Sequence, residues 1–169
     1  MDCFPAVLRR HGYRTEYFTA SDPDWDNQRY WLQRWYDATN FYVEAEEVDR
    51  INFELAAGRI RELGRAGTPF LATIVSISNH YPFRSRDPNP STRIKPPAEA
   101  IEDTMRYTDD VLRDFIESLR GEPWFDHTVF VILDDHGYNL GEHTANAGER
   151  NGHRESIWVP LVSTAGTPA

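Results

Sequence analysis

Apolar positions along the chain fall into two patterns, helical stripes and short continuous runs, and the two alternate. Phe4, Val7 and Leu8 ahead of Gly12 predict a helix from Phe4 to His11 that the glycine closes. Arg14 to Thr19 reads as a short strand. From Asn52 to Leu63, the residues Phe53, Leu55, Ala56, Ile60 and Leu63 stand near helical spacing, and the turn from Gly64 to Pro69 leads into FLATIVSIS. That run is apolar and β-rich, as strands buried on both faces of a parallel sheet tend to be. A long helical stripe follows from Ala98 to Arg120, with Ile101, Met105, Val111, Leu112, Phe115, Ile116 and Leu119 apolar and Gly121 at its end. Thr128 to Leu133 (TVFVIL) predicts a second buried strand, and Ile157 to Ser163 (IWVPLVS) a third. Helices alternating with these runs predict an α/β fold, a mainly parallel sheet flanked by helices.

Two segments stand outside this alternation. Asp24 to Tyr36 is dense in aromatics, and Trp25, Tyr30, Trp31 and Trp35 can serve as packing or as a sugar-binding face. Asp87 to Pro97 is rich in proline and polar residues and reads as a surface loop, either a plain excursion or a lid over substrate.

Composition narrows the functional classes. With 169 residues, 40% hydrophobic and 27% charged, the chain is globular and the size of one domain or part of a larger one. A formal charge of −9 argues against a general nucleic-acid binder, because phosphate backbones are held by clustered Lys and Arg. An acidic chain that handles an anionic substrate must recruit cations. The lone Cys3 excludes an internal disulfide. No run reaches the roughly 18 apolar residues of a membrane span, and MDCFPAVLRRHGY lacks the apolar core of a signal peptide.

The sharpest local signal is VFVILDDHGYNLGEH, where a strand delivers adjacent Asp and His side chains at its C-terminal end. A carboxylate oxygen and an imidazole nitrogen form a donor pair that zinc and manganese accept, and Gly137 lets the backbone turn away behind them. An Asp-His pair alone is more often a turn cap. Its context is richer, because His80 ends the FLATIVSIS strand, His143 follows in Gly-Glu-His, and His153 precedes the last strand. Ligands bind at that end of the strands in open α/β sheets.

Four passages, FPAVLRRHGYRTEYF, TPFLATIVSISNHYPF, TMRYTDDVLRDFIESLRGEPWFDHTVFVILDDHG and ESIWVPLV, carry a family resemblance. The sequence resembles the sulfatase and phosphoglycerol or phosphoethanolamine transferase branch of the alkaline phosphatase superfamily, which includes lipoteichoic acid synthases. The resemblance implies an alkaline-phosphatase-like fold and a divalent metal (Mn2+, Zn2+, Mg2+ or Ca2+). It further implies an anionic phosphate- or sulfate-ester substrate and a parent protein anchored at the cell membrane with its catalytic domain outside the cytoplasm. It matches Asp135 and His136 to the family's metal ligands and His80 to a histidine that contacts substrate phosphate or a second metal. His153 matches a further metal-site histidine, a place for which His143 competes. Trp25 and Arg29 resemble a Trp and an Arg that bind the phosphoglycerol head, at a looser spacing than the compact W-x-R of the family.

In that branch the nucleophile and the first acidic ligand lie upstream of FPAVLRRHGY, so residues 1–169 are expected to be one portion of a sulfatase-like catalytic domain without the nucleophile segment. Cys3 does not substitute for it. Sulfatases modify the first residue of C-x-P-x-R, and here the fifth position is Val7. Asp109, Asp110, Glu44, Glu46 and Glu47 read as solvated charges, and Ser76 and Ser78 as hydrogen-bonded strand residues. The leading expectation is transfer or hydrolysis of phosphoglycerol-type groups. The alternatives are sulfate-ester hydrolysis and a non-catalytic module with a partial metal site.

Overall fold

The computed structural model describes residues 3–22, 24–42, 48–81, 83, 97–140 and 154–165. They belong to two compact units, Met1–Glu122 and Pro123–Ala169, each described by itself.

The first unit opens with α1 (Phe4–Arg10), which Pro5 starts and Gly12 stops in a left-handed conformation at φ +85°. The strand β1 (Arg14–Thr19) follows. After a 3-10 turn at Trp25–Asn27 come α2 (Gln28–Trp35), β2 (Ala38–Phe41), α3 (Val48–Arg65), β3 (Phe70–Val75) and α4 (Pro97–Leu119). The sheet order is β2-β1-β3, parallel throughout. The fold class expected from sequence is therefore the one found.

Period-2 geometry explains why β1 is the buried strand. Its side chains alternate between two covered faces. On one face, Tyr17 packs edge-on against Tyr36 at 5.3 Å and shares a core with Leu32, ringed by Trp31, Trp35, Phe41 and Leu71. On the other, Glu16 meets α3, whose Arg59 binds its carboxylate. Of the aromatic segment, Trp31, Trp35 and Tyr36 are packing, while Trp25 and Tyr30 stay exposed. α4 backs α3 through an edge-on contact of Phe53 with Phe115 at 5.2 Å. β3, expected to be buried on both faces, is half-buried and ends with Val75 exposed, because β1 takes the centre of this sheet.

The second unit holds a 3-10 turn at Phe125–His127, β4 (Val129–Leu133), α5 (Arg154–Ile157) and β5 (Leu161–Ala165). β4 and β5 pair antiparallel, Leu133 opposite Leu161. Two expectations need correction here. TVFVIL is not buried on both faces, since Val129, Val131 and Leu133 are 64%, 55% and 59% exposed. Residues 157–160 are not strand either, because Ile157 closes α5 and Pro160 precedes the first ladder residue. The loop predicted from Asp87 to Pro97 lies outside the described residues, apart from Pro97 itself, the first residue of α4. Among the described residues no helix is long and apolar enough to cross a membrane.

Candidate metal and ester-binding site

β4 ends at Leu133, and the chain turns at once through Asp134, Asp135 and His136. Asp135 is bent back on itself, one carboxylate oxygen accepting the His136 backbone N–H at 3.0 Å. Its other oxygen, Oδ2, stands 3.9 Å from His136 Nε2. The imidazole is oriented from its far side, where Nδ1 lies 2.9 Å from the Gly137 carbonyl oxygen. A carbonyl only accepts, so Nδ1 carries the proton, the tautomer whose Nε2 can serve as a metal donor. Metal-binding histidines are commonly oriented through their second nitrogen in this way. Burial, reinforced by the charge of Asp135, raises the carboxyl of Asp134 above its ordinary value, with His136 opposing.

The donor set fits a divalent cation. Two ligands of one tetrahedral zinc, each about 2.0–2.2 Å away, are roughly 3.4 Å apart. Closing the 3.9 Å gap requires about half an ångström of motion from a carboxylate that is 90% exposed. Among the described residues no third His, Cys, Asp or Glu joins the pair. His143 and His153, the expected further ligands, lie outside the described residues.

Gly137 is required, though not for a turn. A Cβ at this position would collide with the backbone carbonyl of Glu155, while the Gly137 N–H donates to the Ser156 carbonyl at 3.0 Å. Absence of a side chain therefore lets α5 lie directly against the Asp-His turn. Arg154, the residue after His153, opens that helix.

The first unit carries the expected substrate residues at one edge of its sheet. Thr19, Phe41 and Val75 are in register at the C-terminal ends of β1, β2 and β3. Trp25 sits in the connection leaving β1 and is 62% exposed. Arg29 stacks on the Phe41 ring, 5.4 Å from its centroid, and pairs with Asp24 at 2.9 Å. His80 lies a few residues beyond β3, exposed, with Nδ1 2.7 Å from the Tyr81 carbonyl oxygen and Nε2 again left as the acceptor. Thus Trp25, Arg29 and His80 share the sheet edge where α/β folds place ligands. Asp135 and His136 belong to the other unit.

Sequence reasoning missed Asp49. The predicted helix began at Asn52, but α3 starts at Val48 and places Asp49, fully buried, in its first turn. Its two oxygens accept the backbone N–H groups of Ile77 and Ser78 at 2.8 and 3.0 Å. No local signal separates this carboxylate from the acidic run before it, because the partners lie 28 and 29 residues away.

The chain is 26% identical to lipoteichoic acid synthase of Staphylococcus aureus (strain USA300), over 86% of this chain and 24% of the relative. It thus spans about a quarter of the length of the curated relatives it matches. A crystal structure of the lipoteichoic acid synthase LtaP from Listeria monocytogenes superposes with a TM-score of 0.76 at 18% identity, covering 95% of this chain and 45% of that one. The C-terminal periplasmic domain of EcEptC from Escherichia coli, in complex with Zn, superposes with a TM-score of 0.75 at 14% identity, covering 98% of this chain and 52% of that one. The Sulfatase family profile matches residues 1–165, so the chain belongs to the Sulfatase family, and the resemblance carried by its four sequence passages is borne out.

Proposed function

We propose that residues 1–169 form the metal-binding portion of a sulfatase-like catalytic domain that transfers or hydrolyses phosphoglycerol-type esters. The observation that carries this reading is the Asp135–His136 pair, a carboxylate oxygen and an imidazole nitrogen 3.9 Å apart, the imidazole fixed through its other nitrogen. His153, one residue ahead of α5, is the proposed third ligand. A bound divalent cation would supply charge stabilisation at the ester and lower the pKa of the attacking group. An imidazole donor favours zinc or manganese over magnesium or calcium, and the zinc in the EcEptC domain makes zinc the first metal to try.

The remaining roles fall to the sheet edge of the first unit. His80 Nε2 accepts a hydrogen bond from a glycerol hydroxyl of the ester. Arg29 donates the Nη N–H groups not used by Asp24 to the anionic head, and the exposed ring of Trp25 covers its carbon skeleton. Transfer from a phosphoglycerol donor fits the lipoteichoic acid synthase relatives, of which this chain spans a quarter.

The test is titration calorimetry with zinc and with manganese on the wild type, Asp135→Ala, His136→Ala and His153→Ala. Binding lost at least tenfold in each variant supports the site; no binding by the wild type sinks the reading. Turnover of a chromogenic phosphodiester and of an aryl sulfate, in each metal, separates the remaining possibilities. Preference for the sulfate ester would mark a sulfatase, and metal binding with no affinity for either ester would mark a non-catalytic module.

A further inference from the structure

We infer that Asp49 is the positioning residue for His80, acting through the backbone between β3 and that histidine. The role rests on the reading of His80 as the residue that meets the substrate. Asp49 sits in the first turn of α3, where a carboxylate would ordinarily serve its own helix. Both of its oxygens are instead given to another segment, one to Ile77 N–H at 2.8 Å and one to Ser78 N–H at 3.0 Å. A fully buried carboxylate is retained only where hydrogen bonds satisfy it, and these two successive amides do so.

From there the constraint passes to His80 by backbone alone. The Ile77 carbonyl accepts the His80 N–H at 3.0 Å, and the His80 carbonyl accepts the Phe83 N–H at 2.9 Å. Phe83 is buried and holds φ at +53°, a conformation that an aromatic residue keeps only when its surroundings impose it. Neighbours brace the same segment. Asn52, one turn after Asp49, donates to the Val75 carbonyl at 3.1 Å, and the Thr108 hydroxyl of α4 reaches Asn79 at 3.4 Å. Held at both ends, the His80 backbone lets the ring meet the Tyr81 carbonyl through Nδ1 and leaves Nε2 as the acceptor nitrogen. Asp49 is the one member of this set whose chemistry cannot be halved. Two amides on two different oxygens need two acceptors, and an amide side chain offers only one.

The experiment uses the 169-residue chain labelled with 15N-histidine and compares wild type with Asp49→Asn, which keeps size and shape. Long-range proton–nitrogen spectra read the His80 tautomer, and amide exchange reads Ile77 and Ser78. The wild type is expected to hold the Nδ1–H form. Asp49→Asn is expected to give a mixture with at least a third as Nε2–H, to speed exchange at both amides tenfold or more, and to weaken binding of glycerol 1-phosphate at His80 at least fivefold. Tyr36→Phe, which loses a hydrogen bond to Thr73 elsewhere in the same unit, should leave the tautomer unchanged. A folded Asp49→Asn with the wild-type tautomer overturns the proposal. If that variant does not fold, exchange in the wild type decides: protection of Ile77 and Ser78 equal to that of β3 supports the role, and exchange at the rate of an open loop refutes it. A tautomer change in Asp49→Asn, beside a wild-type His80 indifferent to glycerol 1-phosphate, upholds the positioning and defeats the ester-enzyme reading.

Discussion

Replacing Glu16 with glutamine removes one charge from the centre of the sheet and leaves the shape almost intact. The Glu16 side chain is 3% exposed on β1, and its carboxylate receives Arg14 Nε at 2.9 Å together with Arg59 Nε and Nη2 at 3.0 and 2.9 Å. Breaking a buried ion pair by removing one partner costs about 3–5 kcal/mol. Here both arginines keep 37–39% of their side-chain surface in water, and Arg59 retains Glu62 at 2.8 Å, so the stranded cations are partly rehydrated. That lowers the expected loss to about 2 kcal/mol, roughly 5–8 °C in Tm for a unit of this size. The dependence on pH follows from the sign of the shift. Burial pushes the Glu16 carboxyl upward, but Arg59 and Arg14 together hold it below its ordinary 4.5. A depressed carboxyl stabilises the fold fully above its unfolded value, and the contribution is lost as pH falls through the lower folded value. Thermal melts followed by circular dichroism should therefore show the gap between wild type and Glu16→Gln widest near neutrality and closing below about pH 4. A neutral-pH gap under about 2 °C, or one that stays constant down to pH 3, would refute the reasoning.

Two other outcomes follow from the second unit. Gly137→Ala should force α5 away from the Asp-His turn and, as an overpacked backbone contact, cost about 1–3 kcal/mol. Zinc titration should find affinity reduced at least tenfold, whereas an unchanged affinity would show that α5 does not support the site. The exposed face of β4 should bind the dye ANS in the folded chain, and Val131→Lys with Leu133→Lys should remove more than half of that fluorescence without lowering Tm, since both side chains already face water.

Much of the architecture could be read from periodicity because the cause was local. α1 ends at a glycine that takes positive φ, α4 shows an unbroken apolar stripe, and the run before Asp135 is β-branched, so each element carried its own cue. β2 carried none. Ala-Thr-Asn-Phe has no alternation to notice, and it is a strand because β1 offers it a parallel edge. Partner identity was equally hidden in β4, whose apolar run suits either a buried parallel strand or the half-exposed antiparallel one it becomes. The site divides along the same line. Asp135 and His136 are neighbours in sequence and could be seen together, while Asp49 gains its importance from amides that only the folded chain brings near.

The strand order β2-β1-β3 carries a kinetic corollary. No neighbour in that sheet can be reached by a tight hairpin, since the chain must travel from Thr19 to Ala38 through α2 before β2 can dock, and on to Phe70 through α3 before β3 completes the other flank. Closing such long loops consumes chain entropy before any ladder bond rewards it, so the search for the first correct pairing should dominate the folding time. β1 would wait, unpaired on both edges, through most of that interval. A newly made chain is therefore most in need of a holding chaperone before α3 has been synthesised and packed.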